Sequence, residues 1–177
     1  KIDNIVEQML FYARSDSVKK DYFVKKVLLE YVVHTAIMNY MDSLIQKKIS
    51  LDVYNLENYV YIDEKWITFI ICQVLQNSIK YLNKPEKVIK IHSENNKNNV
   101  VLVIEDNGEG ILDHDLPRVF EYGFTGTDRQ KQYSTGIGLY LCKKLCNKMN
   151  LDIKIESQYK KFTKVKIIFP KTNLYRQ

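Results

Sequence analysis

The chain has 177 residues and a formal net charge of +6, and its composition, 45% hydrophobic and 27% charged, excludes a disordered or fibrous class. No apolar run approaches the roughly 20 residues that cross a bilayer, and a start at Lys1 with no leader pattern gives the expectation of a fragment. The basic residues are scattered in doublets such as Lys19–Lys20, Lys47–Lys48 and Lys143–Lys144, without an aromatic-interleaved stripe, so nucleic acid is not expected as a partner.

Ile2, Ile5, Met9 and Tyr12 recur at intervals of three, four and three, the spacing of a coiled-coil seam. Residues 1–14 are therefore read as the end of a dimerising helix, with a small polar linker over 15–21. Tyr22 to Leu29 reads as a strand, followed by a helix from Tyr31 to Ile45 carrying apolar Val32, Val33, Ile37 and Met41. Short strands are expected at Ile49–Val53 and Tyr59–Ile62. Asp63 is placed to cap a helix from Glu64 to Leu82, which is acidic at its start, carries Lys80 near its end, and is stopped by Asn83 and Pro85. Lys87–Ser93 and Val100–Glu105 form a hairpin across Glu94–Asn99, and the five apolar residues Val100 to Ile104 mark a buried strand. Residues 112–133 lack a regular period and carry Pro117, Gly123 and Gly126, which predicts a mobile lid. A helix from Gly136 to about Met149 precedes strands at Leu151–Ser157 and Phe162–Phe169, and the polar tail at 171–177 is expected to fray. Cys72, Cys142 and Cys146 lie in apolar helical contexts and are read as buried, reduced thiols, a usage that fits a reducing cytosol.

Three stretches carry chemistry. In Ile104-Glu-Asp-Asn-Gly-Glu-Gly-Ile111, Asp106 sits where a strand ends, and Gly108 and Gly110 let the backbone turn and approach a ligand. In Ser134-Thr-Gly-Ile-Gly-Leu-Tyr140, Gly136 and Gly138 open a helix at Leu139, whose N-terminal N–H groups and dipole favour phosphate. On the helix 64–82, at about 100° per residue, Gln73, Lys80 and Tyr81 gather around Asn77, opposite Ile71, Leu75, Ile79 and Leu82. An amide oxygen suits Mg²⁺, and an ammonium with a phenol supplies donors for phosphate oxygens. Taken singly, these stretches are tight turns and a solvated stripe; taken together, they compose a nucleotide site.

The same stretches resemble, in order and spacing, the motifs of the histidine-kinase branch of the GHKL ATP-binding superfamily. Gln73-Val-Leu-Gln-Asn77-Ser-Ile-Lys80-Tyr81 resembles its N box, and Asp106-Asn-Gly108-Glu-Gly110 its first glycine box. Phe120-Glu-Tyr-Gly-Phe124-Thr-Gly126 resembles the F box, and Ser134-Thr-Gly136-Ile-Gly138-Leu139 the second glycine box. The resemblance spans roughly residues 20–170 and is strongest to intramembrane-sensing kinases of Gram-positive bacteria that answer envelope stress and antimicrobial peptides. It implies an α+β fold, a two-layer α/β sandwich whose mixed, mostly antiparallel sheet is covered on one face by three helices, with ATP between helices and lid.

Residue by residue, the resemblance implies that Asp106 accepts the adenine amino group and disfavours guanine, with Gly108, Gly110 and Ile111 beside the nucleotide. Asn77 would hold Mg²⁺, Lys80 and Tyr81 would contact phosphate, and Ser134, Thr135, Gly136, Gly138 and Leu139 would bring backbone to the phosphates. Phe120 and Phe124 would anchor the lid, and Arg129 and Lys131 are candidate lid cations. Catalytic roles fall to Asn77, Lys80 and Gln73. Gln73 stands where ATP-hydrolysing relatives carry Glu, and a neutral amide is no general base, which favours phosphoryl transfer over hydrolysis.

The implied activity is phosphorylation of a His on the protein's own dimerisation helix, then relay to an Asp of a response regulator. The implied parent is a homodimer anchored on the cytoplasmic side of the membrane, with an ABC transporter as a further partner. His34, His92 and His114 lack the acceptor pattern: His34, between Val33 and Thr35-Ala36, reads as a packed helix residue, and His114-Asp-Leu-Pro117 has its proline too close. The chain is therefore expected to bind ATP without autophosphorylating. A nucleotide-sensing module without transfer and a Ser/Thr kinase of the same superfamily stay open as alternatives, although the heptad seam argues against the latter.

Overall fold

A computed structural model of the chain describes residues 22–127 and 135–171. The N-terminal seam and linker, Arg129, Lys131, Ser134 and the tail beyond Lys171 lie outside the described residues.

In chain order the elements are β1 (Lys25–Leu28), α1 (Leu29–Met38), α2 (Met41–Gln46), β2 (Ile49–Tyr54), β3 (Tyr59–Ile62) and α3 (Glu64–Tyr81). They continue with β4 (Lys87–Asn95), β5 (Asn99–Asp106), a short 3-10 turn at Leu116–Arg118, α4 (Gly138–Lys148), β6 (Asp152–Gln158) and β7 (Phe162–Pro170). A five-stranded sheet runs in the order β2-β4-β5-β7-β6, with β2 parallel to β4 and the other pairs antiparallel; β1 and β3 form a separate antiparallel ribbon. The mixed, mostly antiparallel sheet of the expected α/β sandwich is thus present.

One face of the sheet is the core. Ile89, Ile91, Leu102, Ile104 and Ile167 are fully or almost fully buried against the apolar stripes of α1, α3 and α4. On α3 that stripe is Ile67, Ile70, Ile71, Val74 and Leu75, none more than 1% exposed. Burial of each such side chain is worth about 1.5–3 kcal/mol. The opposite face carries a charged ladder, in which Lys164 bonds Glu105 at 2.9 Å and Lys166 bonds Glu156 at 2.5 Å. Val101 and Val103 of the central strand point to that face and are still buried, as the unbroken run Val100–Ile104 requires.

Asp63 ties the N-terminal half together. One carboxylate oxygen accepts the N–H groups of Lys65 (3.0 Å) and Trp66 (3.4 Å), capping α3 as expected, and the other accepts the N–H of Phe23 at 2.9 Å.

The structure departs from expectation in several places. The predicted strand over Tyr22–Leu29 shortens to β1. The predicted helix Tyr31–Ile45 is two helices, α1 and α2, because the chain turns at Asn39–Tyr40; the apolar spacing of Ile37, Met41 and Leu44 runs in phase across the break and hides it. His34 is exposed rather than packed, since the stripe of α1 that faces inward is Val32, Val33, Ala36 and Ile37. The last helix starts at Gly138, two residues later than predicted, because Gly136 is held in a turn at φ +66°. Cys142 and Cys146 are buried within the core, as expected, but Cys72 is only half-buried, against the expectation for all three thiols; burial pushes the Cys146 thiol up to about 12 and raises that of Cys142 well above its usual range. Among the described residues, no helix is long and apolar enough to cross a membrane.

Candidate functional site

The C-terminal end of β5 delivers Asp106 beneath the last turns of α3. The residue is 4% exposed, and both its carboxylate oxygens are bonded: Oδ2 accepts the hydroxyl of Ser78 at 2.7 Å, and Oδ1 accepts the N–H of Gly108 at 3.0 Å. Burial pushes its carboxyl up to about 6; the two hydrogen bonds and Lys84 pull it down, and Glu105 adds to the rise.

The loop after Asp106 is stitched on three sides. The Asn107 side chain accepts the N–H of Val88 at 2.9 Å and donates to the carbonyl of Glu86 at 3.0 Å, fastening the loop to the start of β4. Glu109 N–H donates to the carbonyl of Tyr81 at 3.2 Å, joining it to the end of α3. Lys160 N–H donates to the Glu109 carbonyl, and Ile111 N–H donates to Ser157 Oγ at 2.8 Å, joining it to β6 and the β6–β7 turn. Gly110 has φ +70°, and a Cβ there would lie 2.1 Å from the Gln158 carbonyl oxygen, so only glycine fits. The close approach expected of this glycine is made to the protein's own backbone.

The polar group expected on α3 divides by depth. Asn77 and Tyr81 are half-buried and Lys80 is exposed, with its Nζ 4.9 Å from the Tyr81 ring centre. Gln73, in contrast, is 8% exposed and sits deeper than a polar stripe would place it. Opposite them Ile71, Leu75, Ile79 and Leu82 are buried as expected. The half-buried Asn77 offers a hard amide oxygen that still reaches solvent, a donor suited to Mg²⁺, which keeps several of its waters.

A second cluster gathers the lid root and the start of α4. Phe120 packs against the core, with Lys143 Nζ 5.7 Å from its ring centre, and Phe124 lies under the Arg118 guanidinium at 4.5 Å. Gly123 N–H donates to the Gly136 carbonyl at 3.1 Å, and a Cβ on Gly136 would come within 2.3 Å of the Gly123 carbonyl carbon. Thr135 Oγ1 accepts the N–H of Ile137 at 3.4 Å. Gly138 and Leu139, both half-buried, begin α4, whose N-terminal residue makes no side-chain cap, leaving that end suited to an anion. The two clusters are joined by the packing of α3 against α4.

Three contributors escape a reading of the sequence. Ser78 follows Asn77 but faces inward; Asn107 looks like loop filler; Asp115, 5% exposed, holds the N–H and hydroxyl of Thr127 on Oδ2 at 3.1 and 3.2 Å. Only the first leaves a trace in the pattern, as a polar residue that falls in the buried half of an amphipathic helix.

Comparison with known proteins supports the same picture. Residues 62–173 match the family described as "Histidine kinase-, DNA gyrase B-, and HSP90-like ATPase". The chain is 36% identical to the sensor protein BceS of Halalkalibacterium halodurans over 98% of its own length and 52% of the relative's. It is 35% identical to the sensor protein kinase GraS of Staphylococcus aureus (strain MRSA252), again over 98% of its own length and 50% of the relative's. It therefore spans about half the length of the curated relatives it matches. The fold is similar to that of the catalytic domain of the histidine kinase ThkA, with a TM-score of 0.71 at 20% identity over 85% of this chain and 97% of that one.

Proposed function

Since the chain belongs to the family of histidine kinase-, DNA gyrase B- and HSP90-like ATPases, we propose that it is the ATP-binding catalytic domain of a two-component sensor histidine kinase. The observation that carries this is Asp106: a buried carboxylate held at both oxygens at a strand end, beneath a helix that presents Asn77, Lys80 and Tyr81. In this site Asp106 accepts the exocyclic amine of adenine, and guanine, with an oxygen there, meets acceptor against acceptor. Asn77, with its half-buried amide, would hold Mg²⁺. Lys80 and Tyr81 contact phosphate oxygens, the backbone from Thr135 through Leu139 meets them at the start of α4, Ser134 is a further candidate contact, and Phe120 and Phe124 anchor the lid. A Mg²⁺ held at Asn77 would supply positive charge to offset the negative charge of the phosphates.

The acceptor is a His on a dimerisation helix of which residues 1–14 are the end, with 15–21 as linker and 22–170 as the ATP-binding domain. The bond from the γ-phosphorus to the β-phosphate bridging oxygen breaks as a phosphorus–nitrogen bond to the imidazole forms, and ADP departs. The phosphoryl group then passes to an Asp of a response regulator. Gln73, neutral at the position of a water-activating base, fits transfer better than hydrolysis. A homodimeric parent on the cytoplasmic face of the membrane, working beside an ABC transporter, completes the proposal.

The test is phosphoryl transfer from γ-labelled ATP to an added polypeptide carrying the acceptor helix. An acid-labile, base-stable label on that partner is expected. Tight ATP binding without transfer would turn the assignment to a nucleotide-sensing module, and an acid-stable label on Ser or Thr to a different kinase class.

A further inference from the structure

Ser78 lies one residue beyond Asn77 on α3, about 100° round the helix, and its side chain turns inward to the buried Asp106. It is 4% exposed, and its hydroxyl proton is given to Asp106 Oδ2 at 2.7 Å. A serine has a single hydroxyl proton, and a hydroxyl bond to a carboxylate of this length is among the stronger protein hydrogen bonds. The helix that carries it is fastened at both ends, by the Asp63 cap and by the Tyr81 carbonyl accepting from Glu109. Ser78 and Gly108 thus approach the carboxylate from two separate elements, one on each oxygen.

The cations nearby make their hydrogen bonds elsewhere, and Lys84 acts on Asp106 only through its charge. Lys84 Nζ donates to the Lys161 carbonyl at 3.0 Å, and Lys164 pairs with Glu105 at 2.9 Å. The strands beside Asp106 place Ile89 and Thr163 opposite it, neither of them charged. Among the described residues, the hydrogen bonds that hold this buried acid therefore come from two neutral donors. Burial works against the ionised form, and these two bonds work for it.

We propose that Ser78 is the positioning residue of the adenine site: with Gly108 it locks the Asp106 carboxylate in one orientation, ionised, before the nucleotide arrives. The inference rests on Asp106 being the base-recognising group. A preorganised acceptor loses little freedom on binding and stays acceptor-only toward the base, so Ser78 contributes to both affinity and adenine selectivity without touching the nucleotide. Because its proton is committed to Asp106, Ser78 also offers no donor that would welcome a 6-oxo purine.

The experiment compares the wild-type chain with Ser78→Ala and Ser78→Thr. Alanine is a good helix former and leaves the fold of α3 intact. MgATP binding is measured by calorimetry from pH 5.5 to 8.5, and the Asp106 carboxyl is titrated by carbon-13 NMR in ligand-free protein. In Ser78→Ala the Asp106 midpoint is expected to rise by about one pH unit. MgATP affinity at pH 7 is expected to fall about tenfold and to recover in part at pH 8.5, while Ser78→Thr returns both readouts toward wild type. An Asp106 midpoint in Ser78→Ala equal to that of wild type overturns the proposal. A shifted midpoint with MgATP affinity unchanged in both Ser78→Ala and Asp106→Asn leaves Ser78 holding the carboxylate and overturns its place in an adenine site.

Discussion

The Asp106 end of the site and its α4 end are built by opposite means. Around Asp106, side chains converge on a desolvated centre: Ser78, Asn107 and the Gly108 amide bond into a loop that β4, β6 and the end of α3 clamp. At the α4 end the contacts are ring faces and backbone, with exposed residues set against half-buried ones: Arg118 over Phe124, Tyr122 edge-on to Tyr140 at 5.2 Å, Gly123 against Gly136. The difference fits the roles proposed for the two ends. Reading a base requires one fixed acceptor in a dry setting, where a misplaced dipole is costly. Binding a phosphate chain requires backbone donors that can close over it and release it.

The comparison is broken most directly at its glycines. Gly110→Ala is expected to cost roughly 3 kcal/mol or more of folding stability, since φ +70° and a Cβ 2.1 Å from Gln158 O force the clamped loop to move. Gly136→Ala, strained to a similar degree, parts α4 from Gly123–Phe124 and is expected to weaken MgATP binding more than it lowers the denaturant midpoint. Equal effects of the two substitutions on stability and on binding would erase the distinction between the two ends.

Next in size is pH. The folded state holds the Asp106 proton up to about pH 6, against 3.8 for a free side chain, so it binds more protons than the unfolded chain between those values. From this group alone, stability therefore falls as pH rises through that window, by roughly 2–3 kcal/mol. On the role proposed for Asp106, nucleotide binding is expected to need the ionised carboxylate and to run the other way, weakening as pH drops below about 6. Opposed slopes in denaturation and calorimetry are the expected signature, and parallel slopes would sink it.

Asp106→Asn is expected to flatten both slopes and to reduce ATP affinity by about one to two powers of ten, the value of one charge-assisted hydrogen bond. Unchanged affinity would remove Asp106 from base recognition. The smallest effect is expected at Gln73, where Glu should raise slow ATP hydrolysis by about tenfold or less, since a base alone does not orient a water. A flat hydrolysis rate would separate the amide from the preference for transfer.

Much of this architecture is legible in the residues themselves. The period-3.6 stripe of α3 and its Asp63 cap, the buried run of β5, and the glycines beside Asp106 are local patterns with local causes, and all stand where the spacing puts them. The break between α1 and α2 was not legible, because Ile37 and Leu44 keep one face across it and only the packing of the chain shows the turn. Gln73 was legible as polar and not as buried, since periodicity ranks faces of a helix and not their depth.

What the amino-acid sequence determined is most of the elements, the α1–α2 break excepted, and the residue types that could meet a nucleotide, because propensity, capping and periodicity act over a few neighbouring residues. What the tertiary structure alone decided is which of them meet. Ser78 and Asp106 are 28 positions apart, Asn107 and Val88 are 19 apart, and Ile111 and Ser157 are 46 apart. Those pairings depend on the strand order and on the seating of α3 over β5, which arise from burial of the whole core, and no local stretch of chain encodes them.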